Sequence, residues 1–428
     1  MNDGRTSTRT PWAWIPSLYL AEGLPYVIVM TVSVIMYKGF GVSNTDIALY
    51  TSWLYLPWVI KPLWSPVVDL LGTRRRWIWA TQLVVGAALA GVALTIPVPH
   101  PLRWTLVCLW LLAFDSATHD IAADGFYMLA TTEEQQALFV GVRSLFYRVA
   151  TIAGQGLLVI LAGEIQNRTG NVRLAWSVAM GVAAAAFLGF GSWHRFVLPR
   201  PESDRPGDAG QIVRFVSAFL GTFGSFFRKP RIVVLVLFLL LYRLGEAQLV
   251  KMVAPFLLDA RTVGGLGLST TQVGFIYGTI GVIALSLGGI LGGWVVTRHG
   301  LKAWLWPMLL AIHLPDAVFI YLAHTQPTQL ALIQTCVAVE QFGYGFGFTA
   351  YLLYMMHIAR GEHQTAHYAI CTGFMALGMM IPGMWSGWLQ AHIGYRSFFT
   401  WVIFATLPSF VVALGIPLEA GFGRKTAR

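Results

Sequence analysis

The chain has 428 residues, 56% of them apolar and 11% charged, with a mean hydropathy of +0.63 and a formal net charge of +10. Soluble domains carry roughly 25% charged residues, so the composition points to a polytopic membrane protein and leaves no need for a nucleic-acid partner to explain the basic balance. A membrane-crossing helix takes about 20 mostly apolar residues, so this length holds about twelve once loops are allowed for.

The first apolar segment, from about 11 to 37, follows Arg5 and Arg9. It is too long for a signal peptide, contains Glu22 and Pro25 and lacks a small-residue cleavage site, so it is expected to stay as the first helix. The second helix starts after Ser43-Asn44, a plausible cap, carries Lys61-Pro62 and ends near Asp69 and Leu71. Arg74-Arg-Arg76 makes a tight turn into a third helix ending near Ile96, and Pro97, Pro99 and Pro101 punctuate the loop that follows. The fourth helix holds Phe114-Asp-Ser-Ala-Thr-His-Asp-Ile-Ala-Ala-Asp-Gly-Phe-Tyr127 between apolar flanks. A polar turn, Thr131 to Gln136, leads to helices at about 137–162 and 174–198. Pro199 to Gly210 reads as a linker, and Ile212 to Phe227 as an amphipathic helix on the membrane surface. Six further helices follow, at about 232–258, 270–297, 303–324, 329–358, 366–389 and 395–417.

The expected fold is therefore all-α and integral to the membrane, with twelve helices in two pseudo-symmetric halves. The divisions are an N-terminal bundle over 1–198, a cytoplasmic linker over 199–230 and a C-terminal bundle over 231–428. In this arrangement Arg74, Arg75, Arg76, Arg195, Arg228, Arg298, Lys302 and Arg424 fall on the side that holds both termini, which the positive-inside rule assigns to the cytoplasm. Cys108, Cys336 and Cys371 sit in apolar stretches without metal-ligand spacing and read as packing residues.

Charged groups inside such helices are costly and mark function by default. Asp120 and Asp124 are spaced i, i+4 on one helix face. At 1.5 Å per residue, Asp124 and Arg143 each lie about 9 Å in from the cytoplasmic ends of neighbouring helices, and Asp120 and Arg148 about 15 Å in. Two acid–base pairs are thus expected. They either lock the helices together or let an aspartate exchange a proton as its arginine moves. His119 is either a hydrogen-bonded packing residue or a group facing the cavity. In the seventh helix Arg243 and Glu246 either satisfy each other or face a cavity, and Lys251 follows. Glu22, Lys61, Glu340 and Gln341 are further mid-membrane polar groups, with Tyr26, Tyr242 and Tyr344 as candidate aromatic companions. Candidate substrate contacts are accordingly Glu22, Tyr26, Lys61, His119, Tyr242, Glu340, Gln341 and Tyr344. The proton-coupling candidates are Asp120, Asp124 and Glu246, with Arg143, Arg148 and Arg243 as charge partners.

The two halves echo each other. The second helix exits through Asp69-Leu-Leu-Gly-Thr-Arg74-Arg75 and the eighth through Thr297-Arg298-His-Gly-Leu-Lys302. Asp69, Arg74, Arg75 and Arg298 are the gating candidates. Two six-helix halves, a basic linker and a repeated basic turn resemble the major facilitator superfamily, whose substrate sites lie near the bilayer midplane. Gly343-Tyr-Gly-Phe-Gly347 follows no strand and is expected to serve close helix packing, not nucleotide binding.

Four segments carry a closer resemblance: Leu18-Tyr-Leu-Ala-Glu-Gly-Leu-Pro-Tyr26, Lys61-Pro-Leu-Trp-Ser-Pro-Val-Val-Asp69, His119-Asp-Ile-Ala-Ala-Asp-Gly-Phe-Tyr127 and Leu241-Tyr-Arg-Leu-Gly-Glu-Ala247. They resemble the AmpG-type muropeptide permeases. The resemblance implies proton-driven import of N-acetylglucosaminyl-1,6-anhydro-N-acetylmuramyl peptides across a bacterial inner membrane, by a single chain working as a monomer. It matches Asp120 and Asp124 to the family's acidic motif, Glu246 to its second acidic position and Lys61 to its lysine. Some family members carry two more helices than this chain has room for. Related transporters of acetyl-CoA or ferric siderophores are the alternative cargo reading, and a membrane enzyme acting on lipid-linked sugars is a second alternative. No Walker motif and no hydrolase constellation is present, so ATP is not expected to drive the protein directly. The energy source that the resemblance implies is a proton gradient, and no cofactor or metal is expected. The expected partners are the small-molecule substrate and the surrounding lipids.

Overall fold

A computed structural model describes residues 10–206, 221, 223–361, 363–419 and 421–424. Helices and the turns between them account for these residues, with no strand among them. This follows from the apolar surroundings, where a backbone N–H or C=O must find its partner inside the protein. In chain order the elements are α1 (Pro11–Gly39), α2 (Asn44–Trp53), α3 (Leu56–Leu71), α4 (Arg74–Thr95), α5 (Pro101–Ala130), α6 (Glu133–Thr169), α7 (Val172–Val197), α8 (Ile232–Leu258), α9 (Thr270–His299), α10 (Leu301–Thr325), α11 (Leu330–Ala359) and α12 (Gln364–Gly415). Among the described residues, nine helices are long and apolar enough to cross a membrane. One of them, Ala366–Gly415, joins two helices at Gly394, whose φ of 73° suits a residue without a Cβ.

Helix starts are set by local chemistry. The Ser43 hydroxyl accepts from the Asp46 amide at 3.1 Å, and Thr73 from that of Arg76 at 3.2 Å. Thr132 with Gln135, and Ser269 with Gln272, form reciprocal capping boxes. Three helices contain a wider, π-helical stretch: Ile28–Val32 in α1, Ile152–Leu158 in α6 and Gly274–Gly281 in α9. Such stretches are often functional. The first follows Pro25, which has no N–H to give to the regular ladder.

The chain divides into two compact units, Met1–Ser33 with Ile60–Ala218 and Val34–Val59 with Phe219–Arg428. In the first, α4 packs between α5 and α7, and α1 packs on α6. In the second, α11 packs on α9 and α10, and α12 on α2 and α8. The glycines of α11 make its contacts possible. A Cβ on Gly345 would collide with the Leu285 carbonyl of α9, and one on Gly343 or Gly347 with the Ala311 or Met308 carbonyl of α10. Nine of the 17 tryptophans, Trp104 and Trp388 among them, are exposed on a chain surrounded by lipid, as an anchoring role requires. The surface helix expected over 212–227 falls largely outside the described residues. Residues 223–227 are helical, and Phe226 is fully buried against His367 and Phe374 in the second unit.

Candidate functional site

In the first unit, charged side chains from four helices meet. Helix α5 carries Asp120 and Asp124 one turn apart, α3 carries Lys61, α6 carries Arg143 and α1 carries Glu22. Lys61 forms an ion pair with Asp120, and Arg143 with Asp124. The carboxylates of Glu22, Asp120 and Asp124 each bring an oxygen within 4.8 Å of the others. The Arg143 guanidinium lies 4.2 Å from the Tyr19 ring centre and 4.4 Å from that of Tyr127. Only a planar cation stacks in this way while keeping its donors for a carboxylate. The Tyr19 hydroxyl donates to Asp124 at 3.4 Å. Oε2 of Glu22 is buried without a hydrogen-bond partner. Three carboxylates face two cations here, so the cluster carries one surplus negative charge when all are ionised.

The Asp124–Arg143 pair sits where helix depth places it. The ion pair of Asp120 is with Lys61 of α3, whereas depth had matched it with Arg148. Depth along a helix gives the level of a side chain but not the neighbour it turns toward. Arg148 on α6 and Tyr26 on α1 are half-buried. His119 enters a buried chain: its Nε2 lies 2.9 Å from the Gln82 amide, the other end of Gln82 lies 2.8 Å from His194 Nδ1, and His194 Nε2 lies 2.9 Å from the Ser17 hydroxyl. The chain ties α5, α4, α7 and α1 together.

At the start of α4, the Asp204 carboxylate accepts the backbone N–H groups of Arg74 at 2.8 Å and Arg75 at 3.0 Å. A negative group at a helix N-terminus is favourable. The Arg74 guanidinium donates to the Gly125 carbonyl at 3.1 Å and occupies the space a Cβ there would take. Arg75 donates to the carbonyls of Leu198, at 3.2 Å, and of Arg195. The side chain of Asp69 lies outside the described residues. Arg298 is exposed and stacks 4.0 Å over Trp294 of its own helix.

In the second unit, Glu246 of α8, Asp316 of α10 and Glu340 of α11 form another group of three carboxylates, all buried, with oxygens within 4.8 Å. Helix α8 breaks at Tyr242-Arg243, so Glu246 falls in the first turn of its second piece, Leu244–Leu258. Arg243 and Glu246 form no ion pair among the described residues. Arg243 instead donates to the Tyr344 hydroxyl and lies 4.8 Å from the Phe348 ring. Gln341 donates to Glu340 at 3.0 Å. Tyr242 is fully buried, stacked on Tyr351 at 4.9 Å and bonded to the Gly347 carbonyl at 2.9 Å. Lys251 is fully buried, donates to Thr51 at 3.0 Å and lies 5.1 Å from the Tyr55 ring. Toward one end of this unit Lys38 pairs with Asp259 at 2.6 Å, and Asn44 donates to Gln390 at 2.7 Å.

Among the residues that sequence reasoning overlooked are Gln82 and His194 of the buried chain, Asp259, Asp316 and Asp204. Asp316 follows Pro315 in an apolar segment, so a charge beside a helix break was its available signal. Asp204 looks like any linker aspartate, and nothing local marks its role.

With the geometry in hand, comparison decides the family. The model of the Major Facilitator Superfamily matches residues 17–380. The chain belongs to that superfamily. It is accordingly a multi-pass membrane protein of a transporter family. It is 24% identical to the anhydromuropeptide permease of Escherichia coli (strain K12) over 405 residues, covering 93% of this chain and 78% of that one. It is 25% identical over 411 residues to a Rickettsia conorii protein carrying the name AmpG 4, covering 93% and 94% of the two chains. Its fold is similar to that of a D-xylose–proton symporter, with a TM-score of 0.69, 14% identity and 97% and 98% coverage. The nucleoside transporter NupG gives 0.66, 15%, 94% and 97%.

Proposed function

We propose that the protein is a proton-coupled importer of anhydromuropeptides across a bacterial inner membrane, with both termini in the cytoplasm. The observation that carries this reading is the group Glu22, Lys61, Asp120, Asp124 and Arg143. Four of its members, Glu22, Lys61, Asp120 and Asp124, come from segments that resemble the AmpG-type permeases, and Arg143 pairs with Asp124 from α6. The likeness to the Escherichia coli permease supports the choice of cargo.

The chemistry follows from the charge count. With three carboxylates against two cations, taking up one proton makes the cluster neutral, and releasing it restores one negative charge. Moving a neutral cluster through a low-dielectric interior costs less than moving a charged one. A proton thereby becomes a condition for the conformational step. Asp120 and Asp124 are the acids that exchange it in this unit, and they titrate as a coupled set. Glu246 is the corresponding acid of the second unit. Lys61 and Arg143 are cations that the peptide carboxylates of a muropeptide can address, in competition with the aspartates.

Uptake of a labelled anhydromuropeptide into proteoliposomes tests the proposal. We expect saturable uptake that needs an acidic exterior and is lost in Asp120→Asn and Asp124→Asn. Uptake that persists when the gradient is collapsed would sink the proton coupling. No uptake by folded protein would sink the cargo, and competition with a ferric siderophore or acetyl-CoA would then identify the replacement.

A further inference from the structure

The carboxylate group of the second unit differs from that of the first in its counter-charges. Glu246, Asp316 and Glu340 are each 1% exposed, with oxygens within 4.8 Å of one another. In the first unit Lys61 and Arg143 neutralise the aspartates. Among the described residues no basic side chain forms an ion pair with Glu246, Asp316 or Glu340. Of the basic groups on the elements packed around them, Arg243 attracts Glu246 through space without pairing with it, and the hydrogen bonds of Arg243, Lys251 and His313 go elsewhere. Arg243 bonds to Tyr344, Lys251 to Thr51 and His313 to Ser409. Both carboxylate oxygens of Asp316, and Oε2 of Glu246, are buried without any hydrogen-bond partner. The Gln341 amide reaches one oxygen of Glu340.

Buried carboxylates facing each other repel strongly, because the interior screens poorly. Two helix breaks relieve part of this. Glu246 lies in the first turn of Leu244–Leu258, and Asp316 begins Ala317–Thr325. Each helix N-terminus offers about half a positive charge, and Arg243 attracts Glu246 from beyond pairing distance, so the three carboxylates still outnumber the positive charge around them.

We propose that Glu246, Asp316 and Glu340 form a binding site for a hard cation of sodium or calcium size. Carboxylate oxygens suit such ions, whereas thiolates and imidazoles serve the softer metals. An ion held about 2.3–2.6 Å from each oxygen spans oxygens at most about 4.6–5.2 Å apart, and the three oxygens here lie within 4.8 Å of one another. Magnesium demands shorter bonds of about 2.1 Å in a near-ideal octahedron, a poorer match to three side chains on separate helices. A bound ion would join α8, α10 and α11, two of which are broken at this level. The site stands apart from the identity of the cargo. At Glu246 the ion and a proton would exclude one another.

The test is thermal unfolding of the purified full chain in detergent, followed by tryptophan fluorescence in an alkaline buffer. Sodium chloride and calcium chloride are each titrated against choline chloride at matched ionic strength. We expect a saturable rise in Tm with one of the two ions. It should be lost in Asp316→Asn and kept in Glu22→Gln, which alters the carboxylate group of the first unit. In choline chloride alone, Asp316→Asn should unfold at a higher temperature than the unaltered protein, because repulsion is relieved. Equal Tm values in all three salts, or a rise of the same size in Asp316→Asn, would overturn the site. Should Asp316→Asn fail to fold, Glu340→Gln read in the same way decides the question.

Discussion

Arg143 shows how one residue type decides a site. It satisfies Asp124 while lying between the rings of Tyr19 and Tyr127. A lysine keeps the charge but has no plane to stack. The pair is partly open, with the arginine side chain 26% and the aspartate side chain 46% exposed. Its contribution to stability is therefore about 1 kcal/mol or less. We expect Asp124→Asn and Arg143→Lys to unfold within a few degrees of the unaltered protein. Their uptake should fall about tenfold or more, the equivalent of about 1.4 kcal/mol in the barrier. A large loss of Tm without a specific loss of uptake would show that the pair is a helix lock. Full uptake by Arg143→Lys would show that the rings are dispensable.

At the scale of elements, packing depends on where glycine removes a side chain. Gly345 lies against the Leu285 carbonyl, and backbone does not move aside as a side chain does. Gly345→Ala must push α9 and α11 apart, at a cost of about 1–3 kcal/mol. Gly293, inside α9, has nothing within 4 Å of where a Cβ would go. Gly293→Ala should instead stabilise the helix by about 0.5–1 kcal/mol. Opposite shifts of Tm in detergent check the pair, and equal shifts would contradict the packing described. Other elements are shaped by their interruptions. The break at Tyr242-Arg243 brings Glu246 to a helix start, and the break at Leu314–Asp316 does the same for Asp316. The start of α4 is capped locally by Thr73 and also by Asp204, far along the chain, so a linker residue takes two backbone N–H groups that the local cap leaves open.

Among the described residues of the whole molecule, each unit holds one group of three carboxylates, drawn from α1 and α5 in the first and from α8, α10 and α11 in the second. The repeat is one of chemistry more than of sequence, since among the described residues only the first group is ion-paired with cations. The distribution of arginine and lysine sets the expected orientation. A green fluorescent protein fused to either terminus should fluoresce, and alkaline phosphatase fused to the C-terminus should be inactive. Active phosphatase at that position would reverse the orientation and with it the direction of import.

Composition and hydropathy were enough to read a multi-pass helical protein, because lipid leaves the backbone almost no alternative to the helix. Spacing within one helix was enough to put Asp120 and Asp124 on one face and to bring Arg143 level with Asp124, because rise and turn per residue are constants of the α-helix. The glycines of α11 were legible as packing positions for the same reason. The partner of Asp120 and the membership of Asp316 in the second group were not legible. Both depend on how each helix is rotated about its axis and on which neighbour it meets. The capping of α4 by Asp204 depends on the path of a linker. Rotation and neighbourhood are decided by side-chain packing over a whole unit, and no spacing along the chain encodes them locally. The tertiary structure alone brings Lys61 to Asp120 and gathers Glu246, Asp316 and Glu340 without a counter-ion from the described residues.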